Sequence, residues 1–244
     1  DGYLHATVDF EARPVGDKRL DAIYYLHERE RYTVSSIRMV TDDARLEAIV
    51  KADSAASLLR TGMPFSVDVL EAERRRITAL LKDNGYYRFQ KDYITFEADT
   101  AHHSTNVGIK MNIALFRDTE SQAYVSHRQY SINSVTFVSG AGLRLNQHEL
   151  ASCDTMQWGE YKFLSKEKLS IRPKVLEKHT YLEGGGIYSQ SLVDRTHNSL
   201  AQLSALRYAS IRMVEHPKSS LLDAYIMLER NKRRTISFEL EGTN

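Results

Sequence analysis

A repeated order of secondary structure is the feature that most constrains this fold. Residues 32–40 (YTVSSIRMV) and 130–138 (YSINSVTFV) match position by position, with Tyr32 at the place of Tyr130 and Ile37 at that of Val135. Each is followed by segments with the apolar spacing of two helices and then of two strands. A repeated β-α-α-β-β unit predicts tandem modules. It argues against a single enzyme fold, because active sites are seldom repeated along a chain.

A glycine turn between the two helices recurs in both copies. Gly62-Met63-Pro64-Phe65-Ser66 corresponds to Gly184-Gly185-Gly186-Ile187-Tyr188-Ser189, and Ser66 is a good N-cap for the following helix. Gly85 is predicted to end that helix in a left-handed conformation. The predicted turn and cap positions are Gly62, Phe65, Gly85, Gly186 and Tyr188.

The repeat divides the chain into three modules. Residues 1–31 are predicted to be the C-terminal hairpin of a partial module, with Gly2-Tyr3-Leu4 corresponding to Gly85-Tyr86-Tyr87. The chain is therefore expected to be a piece of a longer protein. Residues 32–118 are predicted to form a complete module, and 129–244 a third with an insertion at 139–170. The later strands are predicted at 86–98, 106–116, 161–164, 208–214, 221–228 and 235–240.

Composition and motif searches disfavour several kinds of site. The 33 Lys and Arg residues balance 32 Asp and Glu residues, so there is no basic excess for nucleic acid. The single Cys153 excludes an intramolecular disulfide and a multi-cysteine zinc site. His102-His103 has no third ligand nearby, and Gly184-Gly185-Gly186 lacks the Lys-Ser/Thr of a phosphate loop. We therefore predict no metal and no cofactor.

The charged residues of the helix predicted between Ser66 and Gly85 have two interpretations. Glu71, Glu73 and Arg74-Arg75-Arg76 suggest acid chemistry or phosphate binding, but helical spacing spreads them around the polar face. A solvated face is the preferred prediction. Trp158, in the insertion, either anchors that loop or belongs to a contact surface.

Three motifs resemble the polypeptide-transport-associated (POTRA) domains. They are the turn Gly-x-x-[Phe/Tyr]-Ser, the corner Asn84-Gly85-Tyr86-Tyr87-Arg88-Phe89 and the ending Glu239-Leu240-Glu241-Gly242-Thr243-Asn244. More narrowly, they resemble the BamA/TamA superfamily of outer-membrane assembly proteins, in its Bacteroidetes-type, TamA-like branch. The resemblance implies an α+β fold of tandem β-α-α-β-β POTRA modules, each a small mixed sheet covered by two helices. It also implies a non-catalytic scaffold at the periplasmic face of the bacterial outer membrane.

The resemblance further implies partners and a binding mode. The implied partners are unfolded outer-membrane proteins, accessory periplasmic subunits or an inner-membrane TamB-like protein, and the chain's own C-terminal β-barrel; no nucleic acid is expected. In such modules the strand after the second helix is usually a sheet edge, to which a client adds a strand. The implied client-binding residues, at 86–96 and 208–214, are Tyr86, Tyr87, Arg88, Phe89, Tyr93, Tyr208, Ser210, Ile211 and Arg212.

Three alternatives stay open. A two-partner-secretion transporter or an organelle import protein uses similar modules to recognise one dedicated substrate. An enzyme with its site in 139–170 is the second, although no acid/base pair or nucleophile supports it. A nucleic-acid-binding α+β domain is the third, and the near-neutral charge disfavours it.

Overall fold

The structure is a computed structural model that describes residues 2–15, 19–100, 104–118, 120–140, 150–166 and 171–231. The chain forms two compact units. The first comprises 1–81 and 89–127, and the second comprises 82–88 and 128–244. The end of the long helix and the glycine corner after it therefore belong with the second unit. His102-His103, the strand predicted at 235–240 and the ending at 239–244 lie outside the described residues.

The first unit begins with the hairpin β1 (Thr7–Pro14) and β2 (Leu20–His27), which pair antiparallel with Thr7 opposite His27. One face of this hairpin is polar and carries the Arg13–Glu11 ion pair. The other face is apolar and exposed, with Phe10 57% and Tyr24 68% accessible. Two strands alone do not bury such a face.

A three-stranded sheet and two helices follow. The strands are β3 (Thr33–Thr41), β4 (Ile94–Thr100) and β5 (Asn106–Ile113), in the order β3-β5-β4, with β3 parallel and β4 antiparallel to β5. The helices are α1 (Ala44–Ala52) and α2 (Val67–Asp83). Their shared core contains Val34, Leu59, Phe65, Leu70, Val107 and Ile109. A small hairpin of β6 (Phe116–Arg117) and β7 (Tyr124–Val125) ends the unit.

The strand predicted from residue 86 is wrong at its start. Residues 86–90 form a turn and an irregular segment, Lys91–Tyr93 form a 3₁₀ turn, and β4 begins only at Ile94. Tyr86 and Phe89 are both buried. Their spacing of three residues, continued by Tyr93 four residues later, does not match the two-residue period of a strand.

The second unit contains a five-stranded sheet. Its strands are β8 (Ser131–Ser139), β9 (Asp154–Trp158), β10 (Tyr161–Ser165), β11 (Leu206–Glu215) and β12 (Leu221–Arg230). The order is β11-β12-β8-β10-β9; β12 and β10 run parallel to β8, and the outer strands run antiparallel to their neighbours. The helices are α3 (Pro173–Lys178) and α4 (Gln190–Ala201). The core includes Ile132, Phe137, Phe163, Leu176, Leu200 and Ile226.

Backbone hydrogen bonds confirm the repeat and correct its alignment by one residue. Gly62 N–H donates to Val34 O, and Gly185 N–H donates to Ile132 O, at 2.7 Å in both cases. Both glycines are left-handed, with φ of 83° and 82°. The position of Gly62 is therefore taken by Gly185, and Gly186 stands at that of Met63. Three consecutive glycines look alike in sequence, and their backbone hydrogen bonds and φ angles distinguish them.

The insertion adds a hairpin to the sheet. The strand predicted at 161–164 is confirmed as β10, which pairs with β8, while its other neighbour β9 was not predicted. In the first unit the equivalent strand, β3, has β5 as its sole neighbour among the described strands. Opposite the helices, Leu150 and Cys153 pack against a small cluster of Val138, Leu164 and Met227.

Candidate functional site

The first candidate site is the outer edge of β11. Within the described residues β11 has β12 as its one neighbour, as predicted for an edge strand. His216 N–H donates to Leu221 O at 3.0 Å, which marks 216 and 221 as a hydrogen-bonded pair. Such pairs alternate along an antiparallel ladder, so Arg212 and Ser210 bond to β12. The backbone N–H and C=O groups of Ala209, Ile211 and Met213 therefore point to the open side.

The side chains of β11 divide between two faces. Ala209, Ile211 and Met213 face the core beneath α4. Tyr208, Ser210 and Arg212 lie on the opposite face, where Tyr208 is 46% exposed. All four predicted residues of 208–212 thus lie on an edge strand. Of the four, Ile211 is the one whose backbone is directed outward.

The second open edge is β4. Ala114 N–H donates to Tyr93 O at 2.8 Å, which marks 93 and 114 as a hydrogen-bonded pair. Because such pairs alternate along the antiparallel ladder of β4 and β5, the backbone N–H and C=O groups of Phe96 and Ala98 point to the open side. The predicted residues Tyr86, Tyr87, Arg88, Phe89 and Tyr93 lie before this strand, and their assignment to the edge is wrong. The sequence signal that identifies the edge is the alternation that starts at Ile94.

Gly85 anchors the corner that follows α2. Its φ is 94°, and its carbonyl accepts a hydrogen bond from Tyr130 N–H at 2.8 Å. A Cβ atom at this position would lie 2.7 Å from Gln129 Cγ and 2.9 Å from Ile187 Cγ2. In the first unit, Gly2 O accepts from Tyr32 N–H at 2.7 Å, so this contact repeats. The predicted correspondence of Gly2 with Gly85 is supported by this geometry.

Tyr87 and Arg88 have structural contacts in the second unit. The Tyr87 ring packs edge-on against Tyr130 and Tyr188, at centroid distances of 5.8 and 5.1 Å. Arg88 forms an ion pair with Glu215 at 2.7 Å, and this hydrogen-bonded contact raises the pKa of Arg88. Burial, and then the charge of Glu215, raise the pKa of Tyr130, which donates to the same carboxylate.

Phe89 and Tyr93 enclose His127, a residue that no sequence motif marks. His127 is 5% exposed, and its ring lies 4.9 Å from Phe89 and 4.7 Å from Tyr93 by centroid distance. Its backbone N–H donates to Asp43 at 2.8 Å. Burial lowers the pKa of His127. These aromatic residues therefore attach the segment after β7 to the first unit.

The prediction of a fully solvated charged face on α2 is wrong at Glu73. This carboxylate is 2% exposed, accepts from Leu58 N–H at 2.8 Å, and pairs with Arg76. Arg76 also bonds to Asp53. Burial alone raises the pKa of Glu73, but bonds from Arg76, Leu58 and Ser57 outweigh it, so the pKa is lowered. The pair holds the α1–α2 connection against α2.

A polar cluster around Asp223 contains a serine and a histidine. Asp223 accepts from Ser134 Oγ, from Asn133 at 2.9 Å and from His216. Because Ser134 donates to the carboxylate and not to the imidazole, this set lacks the nucleophile–base contact of a hydrolase. Within the described residues, no group of three or more His, Cys, Asp or Glu side chains is arranged to hold a metal ion.

Over the part of the chain that the structure describes, none of the helices combines the length and apolar character needed to cross a membrane.

The comparisons with known proteins concern the fold. No protein-family model and no curated protein matches the sequence. BamA from Haemophilus ducreyi lacking POTRA domains 1–3 is similar with a TM-score of 0.54 at 13% identity, over 82% of this chain and 30% of that chain. BamA POTRA3–5 from Haemophilus influenzae is similar with a TM-score of 0.47 at 13% identity, over 93% of this chain and 74% of that chain. CdiB from Escherichia coli is similar with a TM-score of 0.26 at 12% identity, over 83% of this chain and 28% of that chain.

Both units have a small mixed sheet with two helices, and the order β3-β5-β4 of the first recurs as β8-β12-β11 in the second, which defines an α+β protein of tandem modules. These modules have the POTRA fold found in BamA, as predicted from the sequence.

Proposed function

We propose that this chain is the periplasmic scaffold of an outer-membrane protein assembly factor. It binds unfolded outer-membrane clients by strand addition and passes them to a C-terminal β-barrel of the same protein. The scaffold acts without catalysis and without a cofactor. Accessory periplasmic subunits or an inner-membrane TamB-like protein are its further partners, in keeping with the TamA-like branch.

The open edge of β11 is the observation that supports this proposal. Outward backbone groups at Ala209, Ile211 and Met213 offer an extended chain three donors and three acceptors. Main-chain hydrogen bonds do not depend on client sequence, which suits a factor that handles many clients. Arg212 and Arg207 are charges of the kind that keep an open edge from pairing unselectively.

The exposed hairpin β1–β2 supports the proposal that residues 1–31 close a preceding module. Its Val8-Asp9-Phe10-Glu11-Ala12 matches Ile94-Thr95-Phe96-Glu97-Ala98 of β4. Phe10 pairs with Tyr24 as Phe96 pairs with Met111. Met111 is buried in the complete module, whereas Tyr24 is 68% exposed. A strand and two helices, as in the complete module, would cover the apolar face of the hairpin.

Proline substitution tests the edge. Ile211→Pro removes an outward N–H while leaving the bonds to β12, so we expect a folded protein that binds an unfolded outer-membrane protein, held in dilute urea, about tenfold more weakly. Val67→Pro is the matched control, because it places proline at the first position of α2, where no helical bond is lost. Unchanged binding by folded Ile211→Pro protein would contradict the proposal.

The number of different clients that the chain binds distinguishes the proposal from its nearest alternative. A two-partner-secretion or import-type module binds one dedicated substrate, so competition among several unrelated unfolded outer-membrane proteins is the test. We expect them to compete for one site with similar affinity. Binding of one of them alone would favour the alternative.

A further inference from the structure

The insertion at 139–170 covers one edge of the sheet with β10 and creates a new edge at β9. No described strand lies on the outer side of β3, where Val34 bonds only to the turn at Gly62 and Met63, whereas its equivalent β8 is paired there with β10. The outermost strand then becomes β9, and no described strand pairs with its outer side. This edge lies at the opposite end of the five-stranded sheet from β11.

The backbone of β9 offers unpaired groups. Gly159 and Glu160 form the two-residue turn to β10, with Trp158 opposite Tyr161 and a Gly159 φ of 56°. A hairpin of this kind closes with a hydrogen-bonded pair, so alternation turns the N–H and C=O groups of Thr155 and Gln157 outward. Two donors and two acceptors are thus directed away from β10.

From Thr155 onward, the side chains of β9 do not protect this edge. Exposed edge strands usually carry charges or proline, and β4 has Glu97 and Asp99. β9 has one charge, Asp154 at its start, and has neither a charge nor a proline from Thr155 to Trp158. Met156 and Trp158 are 38% and 42% exposed, on the face that also carries Phe163 and Tyr161. An apolar surface therefore adjoins the unpaired backbone.

Carboxylates surround the turn end of β9. Trp158 Nε1 donates to Glu177 at 3.1 Å, and Glu160 is exposed in the turn. The pKa of Tyr161 is raised first by burial and then by the negative charges of Glu183, Glu177 and Glu160. This end of the strand therefore favours a cation.

We propose that the outer edge of β9 binds an extended segment of a partner protein by antiparallel strand addition. An apolar side chain of that segment packs against Met156 and Trp158, and a lysine or arginine at its N-terminal end lies near Glu160. Antiparallel pairing is the more stable arrangement and brings the N-terminus of the segment to the turn. The site is independent of client binding at β11, so both edges can be occupied together.

Trp158 is the single tryptophan of the sequence, so its emission reports binding at β9. The probe is a capped peptide of alternating valine and threonine with an N-terminal lysine, titrated into the intact chain. We expect a saturable blue shift and an affinity about threefold higher than for the same peptide with lysine at its C-terminus. No change in emission with the N-terminal lysine peptide, or equal affinity for the two peptides, would overturn the proposal.

Three variants locate the site. Gln157→Pro removes an outward N–H and is expected to weaken binding about tenfold, while Met156→Ser, which leaves the backbone unchanged, weakens it about threefold. Ile211→Pro, at the β11 edge, is expected to leave the affinity unchanged. Full affinity in folded Gln157→Pro and Met156→Ser proteins, or loss of affinity in Ile211→Pro, would place the peptide elsewhere and overturn the proposal.

Discussion

The carboxylate of Asp83, at the end of α2, accepts a hydrogen bond from the hydroxyl of Ser189, at the start of α4, at 2.9 Å. The same carboxylate accepts from Ser191 N–H at 2.7 Å. Ser189 is the N-cap of α4, so Asp83 adds a second acceptor and a negative charge at that helix start. The segment 82–88, which contains the last two residues of α2, thus completes the second unit.

Loss of this cap lowers the stability of the second unit. We expect Asp83→Ala to reduce the free energy of unfolding by about 1 kcal/mol. Asp92→Ala, at an exposed position of the 3₁₀ turn before β4, is the control and is expected to change it by less than about 0.5 kcal/mol. Denaturant unfolding followed by circular dichroism measures both. An equal effect of the two changes would show that Asp83 does not act as a cap.

Gly62 and Gly85 both have a left-handed backbone, but only Gly85 is closely packed, so substituting each in turn distinguishes the cost of backbone strain from that of steric overlap. Gly62 has φ of 83° with nothing within 4 Å of an added Cβ, whereas Gly85 has φ of 94° and close neighbours. Gly62→Ala is expected to cost about 1–2 kcal/mol for the left-handed conformation alone. Gly85→Ala adds overlap with Gln129 and Ile187, for a total of about 3 kcal/mol. Similar unfolding free energies for the two variants would contradict the close packing of the corner.

The Glu73–Arg76 pair predicts a pH-dependent stability. Because the folded-state pKa of Glu73 lies below its ordinary value of 4.5, the carboxylate stabilises the fold above about pH 4.5. That contribution is lost as pH falls through the lower, folded-state pKa. We expect Glu73→Gln to be less stable by about 2 kcal/mol at pH 7, with the difference from the parent protein shrinking below pH 4.

Thermal unfolding from pH 7 to pH 3 measures this difference. Glu71→Gln is the control, since Glu71 is 38% exposed and pairs with Arg74 on the surface. A constant difference between Glu73→Gln and the parent protein over this pH range would mean that the carboxylate charge has no stabilising role.

The repeat was readable from sequence because apolar periodicity and turn residues are local signals. Tyr32 and Tyr130 identified the matching first strands, and Gly85 identified the helix end. The sequence also contains a second match, of Phe10-Glu11-Ala12 with Phe96-Glu97-Ala98. That match aligns β1 with β4 and would have placed the start of β4 at Ile94.

Other features depended on tertiary contacts. Glu73 is buried because the connection between α1 and α2 packs on it, which its spacing on the helix does not reveal. β9 forms because β10 pairs with the distant β8, and pairing of such short strands has a weak local signal. The POTRA resemblance implies a binding role for Tyr87 on an edge strand, yet its ring packs against Tyr188.

Hydrogen exchange at single amides of β11 tests the central claim most directly. The chain is compared alone and with a saturating amount of an unfolded outer-membrane protein. We predict that the amides of Ala209, Ile211 and Met213 become protected when the client binds, whereas those of Ser210 and Arg212, already bonded to β12, change little. Client binding with no added protection at Ala209, Ile211 and Met213 would contradict strand addition at this edge.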